Sequence, residues 1–133
     1  DRRFTLKNRE LQIALAALRN LSEKKMPLKT GLKIRAMIRS LSHLAEDVES
    51  ERKKLIDELS RKDKDGHPIV IQLENGLGRY DFGSNLGEFD RCYNELMDLD
   101  VAGRPAPLTV AELGDIEIEP TVLIGLGELL EDE

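Results

Sequence analysis

Apolar positions recur at helical spacing in three stretches of the chain, and Pro- and Gly-containing segments separate them. In the first, Leu11, Ala14, Leu15, Leu18 and Leu21 share one face. Asn8 stands where an N-cap side chain would satisfy the free amides of the first turn, after a short extended piece over Arg3 to Leu6. "MPLKTG" ends this helix, because Pro27 lacks the amide a helix interior needs yet suits the first turn of the next. The second stretch is the most regular. Ile34, Ile38, Leu41, Ala45, Val48, Arg52, Leu55 and Leu59 alternate in steps of four and three, a heptad seam over 34–59. Arg52 alone interrupts it, and its stem can lie along the seam while the guanidinium reaches water or a carboxylate. In the third, Leu86, Phe89, Tyr93 and Leu96 form a stripe, with Ser84 as the expected cap. The pattern predicts a spine in helix two, with helix one antiparallel along its first half and helix three returning along its second. Pairing of the seam with a second copy is the alternative use of the same residues.

Between helices two and three lies "RKDKDGHPIVIQLENGLGRYDF", which offers three tempting readings. As an EF-hand loop counted from Asp63, it supplies Asp65 at position three and Glu74 at position twelve. Pro68 then stands where the sharp turn demands glycine. Counting from Arg61 restores Gly66 at position six but removes the first ligand. As a dinucleotide fingerprint, Gly76 and Gly78 lack a third glycine and a following helix. A hairpin fits better: "HPIVIQL" is rich in β-formers, Asn75-Gly76 is a turn signal, and "LGRYDF" is the return strand. After helix three, "PLTVAEL" or "DIEIE" can form a short strand beside Arg3 to Leu6. Pro120 then opens a last helix with Leu123, Leu126 and Leu130 on one face, although Gly125 and Gly127 each weaken it by about 1 kcal/mol.

The expected fold is mainly α with a small β component (α+β), in a single domain over 1–133. It comprises a basic helical hairpin over 1–62, a turn and β-hairpin over 63–83, a third helix over 84–100 and an acidic C-terminal strand and helix over 101–133. At 133 residues with five aromatic side chains and no Trp, the core is built of Leu, Ile, Val and Ala. One cysteine, Cys92, excludes an intrachain disulfide, fits a reducing compartment, and reads as a small buried apolar group. No run is long enough to span a membrane and no secretory signal is visible.

Charge changes the picture more than composition does. Residues 1–62 hold 16 Lys/Arg against 9 Asp/Glu and residues 63–133 hold 4 against 17, so the halves carry +7 and −13. Either each end presents a docking pole, or the halves neutralise one another on folding. The candidate basic pole is Lys24, Lys25, Lys29, Lys33, Arg35 and Arg39, around the junction of helices one and two. The candidate acidic surface is Glu117, Glu119, Glu128 and Glu131. The basic pole could meet phosphates, but it lacks interleaved aromatics and the chain is acidic overall, so nucleic acid is a distant alternative.

No catalytic constellation assembles. His43 and His67 have no Cys or His at metal spacing, and there is no nucleophile elbow, P-loop or paired-carboxylate motif. The sequence therefore predicts no catalytic residue, cofactor or metal.

With the segments placed, the chain resembles a family of small uncharacterised proteins of tailed phages and prophages. The carrying residues are "MPLKTGLKIRAMIRSL", "SERKKLIDELSRKDKDGHPIV", "ENGLGRYDF", "EFDRCYNELMDLDV" and the acidic "LGDIEIEPTVLIGLGELLEDE". The Gly-rich "LIGLG" departs from the more regularly helical pattern of that end. The resemblance implies a phage-encoded protein of unsettled function and transfers no functional residue; small phage proteins without catalytic motifs usually work by binding. An accessory factor acting on a host or phage protein in the host cytoplasm is the first expectation. A virion structural or assembly component is the second.

Overall fold

A computed structural model describes residues 6–101 and 105–131. The fold is α+β and mainly helical, as the pattern predicts, and the chain forms two compact units. The first comprises residues 1–46 and 99–133, and the second residues 47–98. Helix α2 (Leu28–Leu59) contributes its first part to one and its last part to the other.

In the first unit, Leu6 to Asn8 runs antiparallel to Leu99 to Val101. The Asn8 amide donates to the Leu99 carbonyl at 2.9 Å and the Val101 amide to the Leu6 carbonyl at 2.6 Å. Arg3 to Thr5 of the expected extended piece lie outside the described residues. Asn8 does not cap the first helix. It begins a 3-10 turn over Asn8–Glu10, and the Glu10 carboxylate accepts the Lys7 amide at 2.9 Å instead. Helix α1 follows over Leu11–Ser22, and all five of its expected core positions are buried, joined by Ala17.

The reason Ala17 is buried lies at the other end of the chain. Helix α5 (Pro120–Leu126), with Pro120 in its first turn as expected, packs on α1. A Cβ at Gly125 would lie 3.0 Å from the Ala17 Cβ and 3.5 Å from the Ile13 carbonyl oxygen. Gly125 weakens α5 as an isolated helix, but its missing side chain is what lets the two backbones approach. The buried face of this segment is Val122, Leu126 and Leu129, not Leu123, Leu126 and Leu130. Helix α5 stops at Leu126, and a 3-10 turn over Gly127–Leu129 follows it. Leu130 then enters a strand.

The C-terminal strand finds a different partner from the one expected. Strand β3 (Leu108–Thr109) pairs parallel with β4 (Leu130–Glu131), and "DIEIE" forms no strand. Between β3 and α5, Thr109 caps the one-turn helix α4 (Val110–Leu113): its hydroxyl accepts the Glu112 amide at 3.1 Å, and the Glu112 carboxylate accepts the Thr109 amide at 2.9 Å. In this unit α2 buries Thr30, Ile34, Met37 and Leu41.

The second unit has a thinner core. Of α2's residues here only Ile56 is buried, and Val48, Arg52, Leu55 and Leu59 of the expected seam are half-buried. In this unit the packed face of α2 is the one that carries Ile56. Arg52 behaves as expected, its guanidinium reaching Glu49 at 2.7 Å. At the end of α2 the Lys62 ammonium binds the Asp57 and Ser60 carbonyls, placing a cation on the helix's negative end.

The connector is the expected hairpin, β1 (Val70–Gln72) against β2 (Gly78–Tyr80), antiparallel in the register Val70↔Tyr80. At its turn the Gly76 amide donates to Leu73 and the Leu73 amide to Leu77, and Gly76 has φ +83°. A three-residue loop of this kind needs the left-handed conformation at its last position, which glycine adopts at no steric cost. The preceding turn, Asp63 to His67, repeats the same bonding pattern around Gly66. Three main-chain bonds close the base: Arg61 to Asp81 (2.7 Å), Asp81 to Ile69 (2.9 Å) and Ile69 to Arg61 (2.9 Å).

Helix α3 (Leu86–Asp98) follows a 3-10 turn over Gly83–Asn85 that contains Ser84. Asp81, not Ser84, holds this entry: its carboxylate accepts the Gly83 amide at 2.9 Å and pairs with Arg61 at 3.2 Å. No residue of α3 is fully buried; Phe89, Tyr93 and Leu96 are half-buried and Leu86 is exposed. Cys92 is also half-buried, so it is not the sealed core group the sequence suggested. Its partners are the ionic side chains of Glu88 and Arg91 on the same helix. Phe82 stacks on Phe89 at 4.0 Å between ring centroids, and Phe89 on Tyr93 at 5.6 Å.

Candidate functional site

The candidate basic residues do not act as one group. Two are consumed inside the first unit. Lys33 donates to the Glu112 carboxylate at 2.7 Å and to the Pro107 carbonyl at 2.9 Å. Lys24 pairs with Glu119 at 2.9 Å. The opposite charges of the two sequence halves therefore meet at these two pairs. Lys25, Lys29, Arg35 and Arg39 are exposed and have no acidic partner among the described residues. Of the acidic candidates, Glu117 and Glu128 are exposed, Glu119 holds Lys24, and Glu131 is half-buried in β4.

The Glu112 linkage is the most built polar cluster in the unit. Lys33 is the main cause holding its carboxyl below the usual value of 4.5, with the Thr109 amide adding to the effect. Thr30 of α2 donates to the Glu112 carbonyl at 2.8 Å, so one residue of α4 is held through both main chain and side chain. A carboxyl whose folded value is depressed contributes stability above its unfolded value, and that stability is lost as pH falls through the folded value. Urea midpoints measured from about pH 6 to about pH 3 are therefore expected to fall less steeply for Glu112→Gln than for the wild type. At neutral pH that variant loses about 1 kcal/mol through the capping box. Parallel pH curves would show that the pair contributes nothing.

Between the end of α1 and the start of α2 the surface folds inward to a cleft of about 390 Å³. The sequence produces it locally: α1 ends at Ser22, the Glu23 and Lys24 amides close its last turn on Asn20 and Leu21, and Pro27 turns the chain into α2. Met26 lies over Gly31, whose added Cβ would touch its sulfur at 3.7 Å. The lining combines Lys24, Lys25 and Arg35 with Met26, Leu28 and Leu32, and contains no acidic residue. Leu28 is 79% exposed and Leu32 55% exposed. Charge runs pointed to the cations of this cleft but not to its apolar floor. The available signal was the pair Leu28 and Leu32, one turn apart and both outside the heptad seam.

Other chemistry-bearing groups are dispersed. Asp63, Asp65 and His67 bring ligand atoms within 4.8 Å of one another in an exposed turn. There the Asp63 carboxylate accepts the Asp65 and His67 amides at 2.9 and 3.0 Å, and the His67 bond is the main cause of its lowered pKa. The carboxylate is the acceptor that shapes the turn. His43 is exposed on α2, 3.9 Å from Glu46. Desolvation, together with the Glu88 carboxylate 3.4 Å away, pushes the Cys92 thiol above its ordinary range, the opposite of a nucleophile's tuning. No helix among the described residues is long and apolar enough to cross a membrane.

Comparison with protein-family models, with curated proteins and with solved structures finds no match.

Proposed function

We propose that this chain is a phage-encoded, non-enzymatic interaction module, an accessory factor that docks on a host or phage protein through Lys25, Lys29, Arg35 and Arg39. One observation carries the reading: four exposed cations have no acidic partner among the described residues, and two of them, Lys25 and Arg35, line a cleft with two exposed leucines. Cations that a fold needs for itself are paired, as Lys24 and Lys33 are. Exposed apolar side chains grouped beside unpaired charge are the composition of an interaction surface. The phage assignment rests on the resemblance of the segments quoted above.

Simultaneous charge reversal at the four cations tests the reading, since all are exposed and the fold should survive. Wild type and variant would be used to capture proteins from infected or prophage-induced host lysate, with nuclease present and mass spectrometry of what is retained. A protein held by the wild type and lost from the variant is the expected result. Equal recovery on both removes the basic pole from the function. Recovery of capsid, tail or portal proteins would assign the chain to the particle instead.

A further inference from the structure

We propose that the cleft between α1 and α2 receives an extended acidic segment of the partner protein, anchored by an aliphatic side chain. This rests on the interaction reading above and specifies the chemistry of its partner. The cleft lies at the small end of the volumes typical of ligand sites, a size suited to a few side chains. Its floor of Met26, Leu28 and Leu32 calls for an aliphatic group, and Met adapts its shape to the group it meets. Its walls carry Lys24, which Glu119 holds, and Lys25 and Arg35, which call for carboxylates and have no acidic partner among the described residues.

The chain itself displays the ligand chemistry at this rim. Asp115 to Glu119 alternates acids with isoleucines, takes up no regular secondary structure over 116–119, and lays the Glu119 carboxylate on Lys24 at 2.9 Å. Lys24 is thereby occupied, while Lys25 and Arg35 stay open to a second segment of the same kind. Nucleic acid suits the charge but not the floor. The lining holds no aromatic side chain on which a base could stack, and exposed leucines gain nothing from phosphate.

The probe is a fluorescently labelled synthetic peptide copying residues 113–120 of this chain, titrated with the full-length protein and followed by anisotropy. Two control peptides replace its acids by the corresponding amides or its isoleucines by serine. A single-stranded oligonucleotide of matching charge is the fourth probe. Saturable binding of the first peptide is expected, at least about tenfold tighter than either control or the oligonucleotide. Leu28→Ser/Leu32→Ser and Arg35→Glu should each weaken it at least about tenfold, because each removes one of the two chemistries. Leu123→Ser, an exposed apolar position on α5, should leave it unchanged. Absence of saturable binding, equal binding of the neutral peptide, or tighter binding of the oligonucleotide each overturns the proposal. Self-association abolished by Leu28→Ser/Leu32→Ser, without peptide binding, would overturn it in favour of a second copy. If the leucine variant captures the lysate partner normally while the charge-reversed protein does not, the cleft falls and the basic pole stands. If neither variant affects capture, the interaction reading itself falls.

Discussion

Leu126→Ala is expected to destabilise the first unit by about 3 kcal/mol, read as a lower urea midpoint with an unchanged slope. Leu126 is fully buried at the end of α5, where that helix meets α1. Truncation removes three heavy atoms of packing from the core. The close approach at Gly125 leaves α5 little room to settle into the cavity. Leu123→Ala is the contrasting measurement, because Leu123 is 41% exposed and should cost about 1 kcal/mol or less. If the last helix used the face that simple periodicity predicts, Leu123 would be buried beside Leu126 and both truncations would be costly. A loss at Leu123 as large as that at Leu126 would therefore refute the phase of α5.

In the second unit the corresponding position is Phe82, expected to lose about 3 kcal/mol on replacement by Ala. Phe82 is 8% exposed, the only aromatic ring of the unit that is buried, and it lies between Tyr80 at 6.5 Å and Phe89 at 4.0 Å. Stacked and tilted ring pairs contribute beyond their area, so both contacts add to the cost. The ring also sits one residue after Asp81, which closes the main-chain triangle with Arg61 and Ile69. Native-state hydrogen exchange should thus show the Asp81 and Ile69 amides losing protection by roughly two orders of magnitude. Leu86→Ala is the control: Leu86 is 44% exposed, and protection of those amides should change little. If the two variants behave alike, Phe82 is not the centre of the unit's core.

Local signals were legible where the chain's neighbours in sequence are also its neighbours in space. The five apolar positions of α1, the break at Pro27, the Asn-Gly hairpin and the first turn at Pro120 all follow from periodicity and backbone stereochemistry. Arg52 was placed correctly because its carboxylate partner lies one helical turn away. The caps were less legible. Asn8 and Ser84 have suitable side chains, yet Glu10 and Asp81 perform the work, because a 3-10 turn precedes each helix and moves the free amides. Of the site, the charge runs marked the cations, but not which of them remain available.

What the sequence determined by itself is the kind of the main elements, α1, α2, the hairpin and α3, since it depends on residues within a turn or two. Only the tertiary structure decided which face each element uses and which charges are left over. The heptad seam of α2 is buried at Ile34 and Leu41 and half-buried from Val48 onward, while Ile56, outside the seam, is buried, because the partners each segment of α2 packs on decide which side chains are covered. Gly125, unfavourable in an isolated helix, permits the approach to Ala17, more than a hundred residues earlier in the chain. Lys24 and Lys33 meet Glu119 and Glu112 across similar separations, leaving Lys25 and Arg35 beside an apolar cleft. Such pairings depend on where the chain returns, and no local pattern of charge or hydrophobicity encodes that.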